Sequence, residues 1–219
     1  YVGDQDRGVI FYDGTKWTGI EIRNNPRIHA LAADSRGIVY VGGAYEFGYI
    51  QPDEKGSPEY ITLTGRVDSI PEIQDVRSIA QIGDDIYFQG TRNLFVYNNV
   101  SDSVHKINLA QFGVFATLRL LKVNDKLIIS DNNLGLLEVK DGKIVPLRGG
   151  GFFERKPITV ILPFDESRIL VGTFFSGLFL YDYNTGIVSD DFVDGDLNEK
   201  FKTIANIYSG ARISDDLFA

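Results

Sequence analysis

The 219-residue sequence predicts an all-β fold built from small four-stranded antiparallel sheets, and three observations lead there. Short apolar runs rich in Val, Ile, Tyr and Phe are bounded by Asp, Gly, Asn and Ser, which is how strands and their turns read. The order of these runs recurs along the chain. The composition agrees: 23 glycines and 7 prolines suit a turn-rich chain, and Tyr and Phe are plentiful, as strands prefer.

The recurring unit is plainest at residues 157–183 (PITVILPFDESRILVGTFFSGLFLYDY). Ile158 to Leu162 is an apolar strand, Asp165-Glu166-Ser167 a turn, Arg168 to Thr173 a second strand, Phe174 to Gly177 a loop, and Leu178 to Tyr183 a third strand. Residues 28–50, 76–97 and 118–139 follow the same order. Small residues mark the end of the second strand at Gly43, Gly90, Ser130 and Gly172, at separations of about 47, 40 and 42 residues. Strand repeats at that period are the mark of β-propeller blades, each of which must stack on neighbours because it cannot bury its own faces. The expected blades are 1–26 (partial), 27–74, 75–116, 117–156, 157–206 and 207–219 (partial).

In order, the chain starts inside a blade. Tyr1-Val2-Gly3 matches the Val-Gly-Thr of the later copies, Gly8 to Tyr12 the third strand, Asp13-Gly14-Thr15 a tight turn and Lys16 to Ile22 the outermost strand. Three full cycles follow, the first with an insertion at 64–74. Gly149-Gly150-Gly151 reads as a flexible connector. Near 196–206 the period breaks for a short helix, with Asp196 as its N-cap and Glu199 three residues on. Ile207 to Ile213 restarts an innermost strand, and Leu217-Phe218-Ala219 begins a second. Roughly five blades' worth of chain is present, partial ends included. The unfinished last strand favours an arc of a larger, seven-bladed ring over closure of the two ends into a five-bladed one, with open edges at both ends if the arc stands alone.

The net charge of −8 argues against nucleic acid or an anionic membrane as partner, since phosphate attraction needs a basic surface. With no cysteine, disulfides and thiolate metal sites are excluded. No apolar run approaches the ~20 residues needed to span a bilayer, so no direct membrane contact is expected of this chain. The absence of an initiator Met and of a signal peptide reads as a piece of something longer.

Candidate chemistry is sparse. His29 lies in an inner strand and His105 in an outer one, and nothing arranges either as part of a nucleophilic triad. The acidic run 190–196 lacks oxygen ligands at Phe192 and Phe201, where a calcium loop needs them, and reads as a solvated turn. Residues 148–156 lack the Gly-Lys-Ser/Thr ending of a phosphate loop. Asn99-Val100-Ser101 is a formal glycosylation sequon. No metal or cofactor is expected. Blade geometry points elsewhere, because the loops between second and third strands share a face with the blade-to-blade connections. That face collects Tyr45 and Phe47, Arg92, Asn132 and Phe174, and, nearest the axis, Arg77 and Arg119. Aromatic, amide and guanidinium groups around a funnel suit a polar ligand or a peptide. An enzyme would concentrate paired carboxylates or His there, whereas Arg and Thr predominate.

Asp-Ser-x-Gly-Ile-x-Tyr-Val-Gly-Gly (34–43) with Phe-Gly-Tyr-Ile (47–50), and Val-Gly-Thr-x-x-Ser-Gly-Leu-Phe-Leu-Tyr-Asp (171–182), resemble the two-component regulator propeller repeat. Tyr40, Tyr87, Ile128 and Leu170 stand where those repeats often carry Trp. Residues 42–50 resemble the subgroup in Bacteroidetes-type sensors with a triple-tyrosine module. The resemblance implies a periplasmic, extracytoplasmic sensor region, itself non-catalytic, with any kinase activity in other parts of the protein. It also implies an oligosaccharide or other small polar ligand, and a homodimer through the full-length protein. A protein-interaction scaffold is the alternative, and a propeller lyase or glycosidase a third.

Overall fold

The computed structural model describes residues 1–4, 8–67, 74–109, 119–123, 125–191, 195–203, 206–214 and 217–219. They fall into two compact units, Tyr1–Val114 and Phe115–Ala219.

The first unit carries three antiparallel sheets. The first sheet runs β1 (Val2–Asp4), β2 (Gly8–Tyr12), β3 (Trp17–Ile20); the second β4 (Ile28–Ala33), β5 (Val39–Gly43), β6 (Glu46–Pro52), β7 (Pro58–Thr62). In the third, β8 (Ser78–Ile82), β9 (Asp85–Gln89), β10 (Asn93–Asn98) and β11 (Ser103–Asn108) again pair in chain order. The second unit holds β12 (Arg119–Val123), β13 (Lys126–Asp131), β14 (Gly135–Lys140) and β15 (Lys143–Pro146) in a fourth sheet. Its fifth sheet is β16 (Ile158–Pro163), β17 (Arg168–Thr173), β18 (Gly177–Asp182) and β19 (Val188–Ser189). The helix α1 (Gly195–Thr203) and a two-stranded sheet, β20 (Arg212–Ser214) with β21 (Leu217–Phe218), complete it.

The apolar runs are continuous because sheets are buried on both faces. Side chains alternate along a strand. In the second sheet, Val39, Val41 and Ile50 pack with Val9 and Ile20 of the first. Tyr40 and Phe47 turn the other way, onto Phe88, Phe95 and Tyr97 of the third. In the second unit, Ile128 and Leu136 meet Ile169, Val171, Phe179 and Tyr181 in the same manner.

Strand register corrects the repeat marker by one residue. Gly42, Gln89, Ser130 and Gly172 pair with Phe47, Leu94, Leu136 and Leu178, so these four share a position. Gly43 and Gly90 belong one step later, with Asp131 and Thr173. The glycines have a steric cause. A Cβ on Gly42 would sit 2.7 Å from Val76 Cγ1, and one on Gly3 2.7 Å from Ile28 Cγ2, so each glycine admits the first apolar side chain of the following repeat.

Three other expectations change. The glycines at 149–151 are a packed corner rather than a flexible connector: Gly149 adopts φ 72, a 3-10 turn spans Gly150–Phe153, and Phe153 is fully buried. A Cβ on Gly149 would collide with the Gly186 carbonyl oxygen, and one on Gly150 would lie 2.5 Å from that of Leu136. The helix begins at Gly195, which puts Asp196 inside its first turn instead of at the cap, where its charge still suits the positive end of the helix dipole. The strand expected over 207–213 shrinks to Arg212–Ser214. Residues 68–73 of the insertion and 192–194 of the acidic run lie outside the described residues.

The hairpin turns are closed by aspartates. Asp13 accepts from the backbone N–H groups of Thr15 and Lys16 and from the Thr15 hydroxyl, at 2.7–2.9 Å. Asp34 accepts from Arg36 and Ile38 N–H, and Asp165 from Ser167 and Arg168 N–H. Hydrogen bonds to the ionised form lower a carboxyl pKa. The Lys16 amide, with Thr15, brings Asp13 from 3.8 to about 2, and Arg168 holds Asp165 low. A depressed carboxyl stabilises the folded state above its unfolded pKa, and that contribution disappears as pH falls through the folded value. The thermal midpoint is therefore expected to fall as pH drops from 3.8 towards about 2, with the Asp13 carboxyl titrating near the lower limit by NMR. A midpoint flat across that window would refute this account of the turns.

Candidate functional site

The loops between second and third strands are held by backbone bonds to the segment that leads into an inner strand. In the first unit Ala44 N–H donates to Arg27 O at 2.9 Å, Tyr45 N–H to Gln74 O at 2.8 Å, and Val76 N–H to Gly43 O at 3.0 Å. In the second, Phe174 N–H donates to Pro157 O at 2.8 Å, the counterpart of the Ala44 bond. Side chains on these loops thus project from a fixed backbone.

In the first unit this fixed junction carries Tyr45, 60% exposed, at φ 59, a left-handed conformation that a non-glycine residue seldom adopts. Beside it, Asp75 accepts from Arg77 Nη2 at 2.8 Å, and His29 Nε2 stands 3.7 Å from its other oxygen, too far for a hydrogen bond. The Arg77 guanidinium, against the opposing effect of partial burial and with help from His29, keeps the Asp75 carboxyl below its usual range. His29 lies at the bulge between Ile28 and Ala30, as Thr159 lies at the matching bulge of β16. A bulge redirects a side chain.

Glu46 supports the same loop. Its Oε1 accepts from the hydroxyls of Tyr60 (2.9 Å), Thr62 (2.6 Å) and Thr64 (2.6 Å). Burial, with the Glu46 charge beside it, drives the Tyr60 phenol pKa upward, so this hydroxyl stays a donor. A Cβ on Gly48 would collide with the Ile61 carbonyl oxygen and lie 2.6 Å from the Tyr60 hydroxyl, which accounts for the glycine in Phe-Gly-Tyr-Ile.

The second unit carries an aromatic cluster. Phe174 meets Phe175 edge to face at 4.4 Å and Tyr208 at 5.0 Å, with Phe175 58% and Tyr208 68% exposed. The chain reaches Tyr208 by way of α1, which is tied to β18: buried Asn198 accepts from Leu178 N–H at 2.9 Å and donates to Leu178 O at 3.3 Å. Gly177, at φ 91, makes room for that amide.

The structure therefore sorts the sequence candidates. Tyr45, Arg77 and Arg92 are exposed, and Phe174 is half-buried within an exposed cluster. Phe47 is corrected: it has no exposed surface, being stacked on Phe95 at 5.1 Å and packed on Phe88 at 4.9 Å, and it belongs to the core. Asn132 is half-buried, with its Oδ1 buried. Arg119 opens β12, and its side chain lies outside the described residues. Tyr208 was missed because 207–213 reads as a strand, in which that ring would have been one member of an alternating pattern. Among the described residues, no group of three or more His, Cys, Asp or Glu lies where it could hold a metal ion. No helix among them is long and apolar enough to cross a membrane.

No family model matches the sequence, and no curated protein matches it. Solved structures do. The extracellular domain of the hybrid two-component system BT4673 from B. thetaiotaomicron superposes with TM-score 0.56 at 20% identity, over 84% of this chain and 25% of that one. Virginiamycin B lyase from Staphylococcus aureus gives 0.59 at 13% identity over 80% of this chain and 58% of that one. The WD40 β-propeller domain of Doa1 gives 0.60 at 12% identity over 85% and 62%. The chain spans about a quarter of the length of the BT4673 domain. At these identities the likeness speaks to fold, and together with the sheets it establishes that fold as all-β, of the β-propeller type.

Proposed function

We propose that the chain is the ligand-sensing propeller region of a two-component signalling protein, extracytoplasmic and itself non-catalytic. The observation that carries this reading is the likeness to the BT4673 extracellular domain, which covers 84% of the chain. The exposed rings of Phe175 and Tyr208, both packed on Phe174, supply the recognition surface. Aromatic faces bind the apolar face of a small ring, and a rigid cluster loses little entropy in doing so. The ligand class is an oligosaccharide or another small polar molecule, read out as a change in shape or dimer geometry elsewhere in the protein.

The test is a thermal-shift screen with an oligosaccharide library. One glycan class should raise the midpoint, by about 2.7 kcal/mol of linked stabilisation at a hundredfold excess over Kd. Phe175→Ala and Tyr208→Ala should abolish the rise while leaving the unliganded midpoint in place. Silence across the library, with a protein partner captured instead, would replace sensing by scaffolding.

A further inference from the structure

The corner that follows β15 carries two cations with no acid to answer them. Elsewhere Arg36, Arg77 and Arg168 each reach an aspartate, Asp34, Asp75 and Asp165 in turn. Among the described residues Arg155 and Lys156 form no ion pair, although Glu154 precedes them in the chain. The Lys156 ammonium lies instead 4.3 Å from the centre of the Phe152 ring and donates to Phe152 O at 2.5 Å. That bond engages one of the three donors an ammonium has.

Arg155 is exposed and adopts φ 58, a left-handed conformation like that of Tyr45. A side chain costs free energy there, and residues so held collect where ligands are gripped. Its backbone N–H donates to Asn132 O at 2.7 Å, which ties the corner to the loop between β13 and β14. Gly135, at the end of that loop, packs against Gly150 and Gly151. Two apolar side chains stay uncovered at this junction, Phe152 at 43% and Leu134 at 41% exposed. The Phe152 ring is braced edge to face by Phe153 and by Phe179, each at 5.2 Å. Pro157, the residue after Lys156, accepts the Phe174 N–H, so the corner adjoins the loop that carries the aromatic cluster.

We infer that Phe152, Arg155 and Lys156 form a subsite for the carboxylate of an acidic sugar, which narrows the ligand to a uronate-containing oligosaccharide. This rests on the oligosaccharide reading above and gives its ligand a charge. A guanidinium grips a carboxylate through two parallel N–H bonds, and the tethered ammonium adds a further charge-assisted one. Phe152 and Leu134 take the apolar face of the sugar ring. The net charge of −8 does not oppose such a ligand. Exposed charges more than about 8 Å away are largely screened at physiological ionic strength, so the two adjacent cations decide.

The test is calorimetric titration of the full-length protein with oligosaccharides of galacturonate, glucuronate or mannuronate, and with the same oligomers after their carboxyl groups are reduced to alcohols. One acidic oligomer should bind at least about tenfold more tightly than its reduced form, and its affinity should fall as salt is added. Arg155→Gln combined with Lys156→Gln should erase that preference while leaving the unliganded thermal midpoint in place. Equal binding of the acidic and reduced forms would overturn the acidic subsite and leave the oligosaccharide reading standing. A preference that survives the double substitution would put the carboxylate elsewhere and overturn the assignment to these residues. Binding by no acidic oligomer would overturn the inference, with the neutral members of the library screen then deciding the sensing reading separately.

Discussion

Replacing Gly149 with alanine is expected to destabilise the second unit by about 2–5 kcal/mol, the sum of a left-handed backbone penalty and an overpacking term. Gly149 sits at φ 72, and the new methyl group would run into the carbonyl oxygen of Gly186, backbone that has no rotamer with which to retreat. Gly142→Ala separates the two terms. Gly142 has φ 69, nearly the same conformation, but nothing lies within 4 Å of its added Cβ. That variant should lose only about 1–2 kcal/mol. Thermal melts of both would check this, with the Gly149 variant lower by roughly 5–15 °C than the native chain. Equal midpoints for the two variants would show that the corner is looser than its geometry indicates.

Phe47→Ala is expected to cost about 3–5 kcal/mol, the usual range for deleting a buried ring. Phe47 is fully buried, stacked on Phe95 and packed on Phe88. Two residues earlier, Tyr45→Ala should change stability by no more than about 0.5 kcal/mol from its ring, because the side chain is exposed. Its φ of 59 is already strained for any side chain, so alanine inherits that cost and does not add to it. Denaturant unfolding of the pair distinguishes a core ring from a surface ring. A mild Phe47→Ala would restore that residue to the candidate site.

How far the sequence reaches can be argued from these residues. The strand order and the turns were legible because Asp13, Asp34 and Asp165 carry their hydrogen bonds locally, within four residues. The repeat was legible because the four-stranded sheets share one order of strand, turn and strand along the chain. What escaped was whatever depends on contact between distant segments. Gly149 looks like a linker until Gly186 is placed against it. Phe47 and Tyr45 look equally available until Phe88 and Phe95 arrive from the next repeat. Tyr208 looks like a strand residue until α1, fastened through Asn198, brings the chain past Phe174. Of the three rings in the aromatic cluster, Phe174 was legible from its loop position and Tyr208 was not.

A sheet that is apolar on both sides loses a safeguard that one-sided sheets possess. When one face is wet, sliding a strand by a single residue drives its polar side chains inward, and the penalty rejects the slip. In β5, sliding Val39-Tyr40-Val41 by one merely trades valine for tyrosine. Correct alignment must be enforced at the strand ends instead, by aspartates that admit only one turn and by notches such as Gly42 that only one opposing side chain fits. Errors of pairing in this chain should therefore arise from lesions in its turns and glycine notches sooner than from conservative changes along its strands.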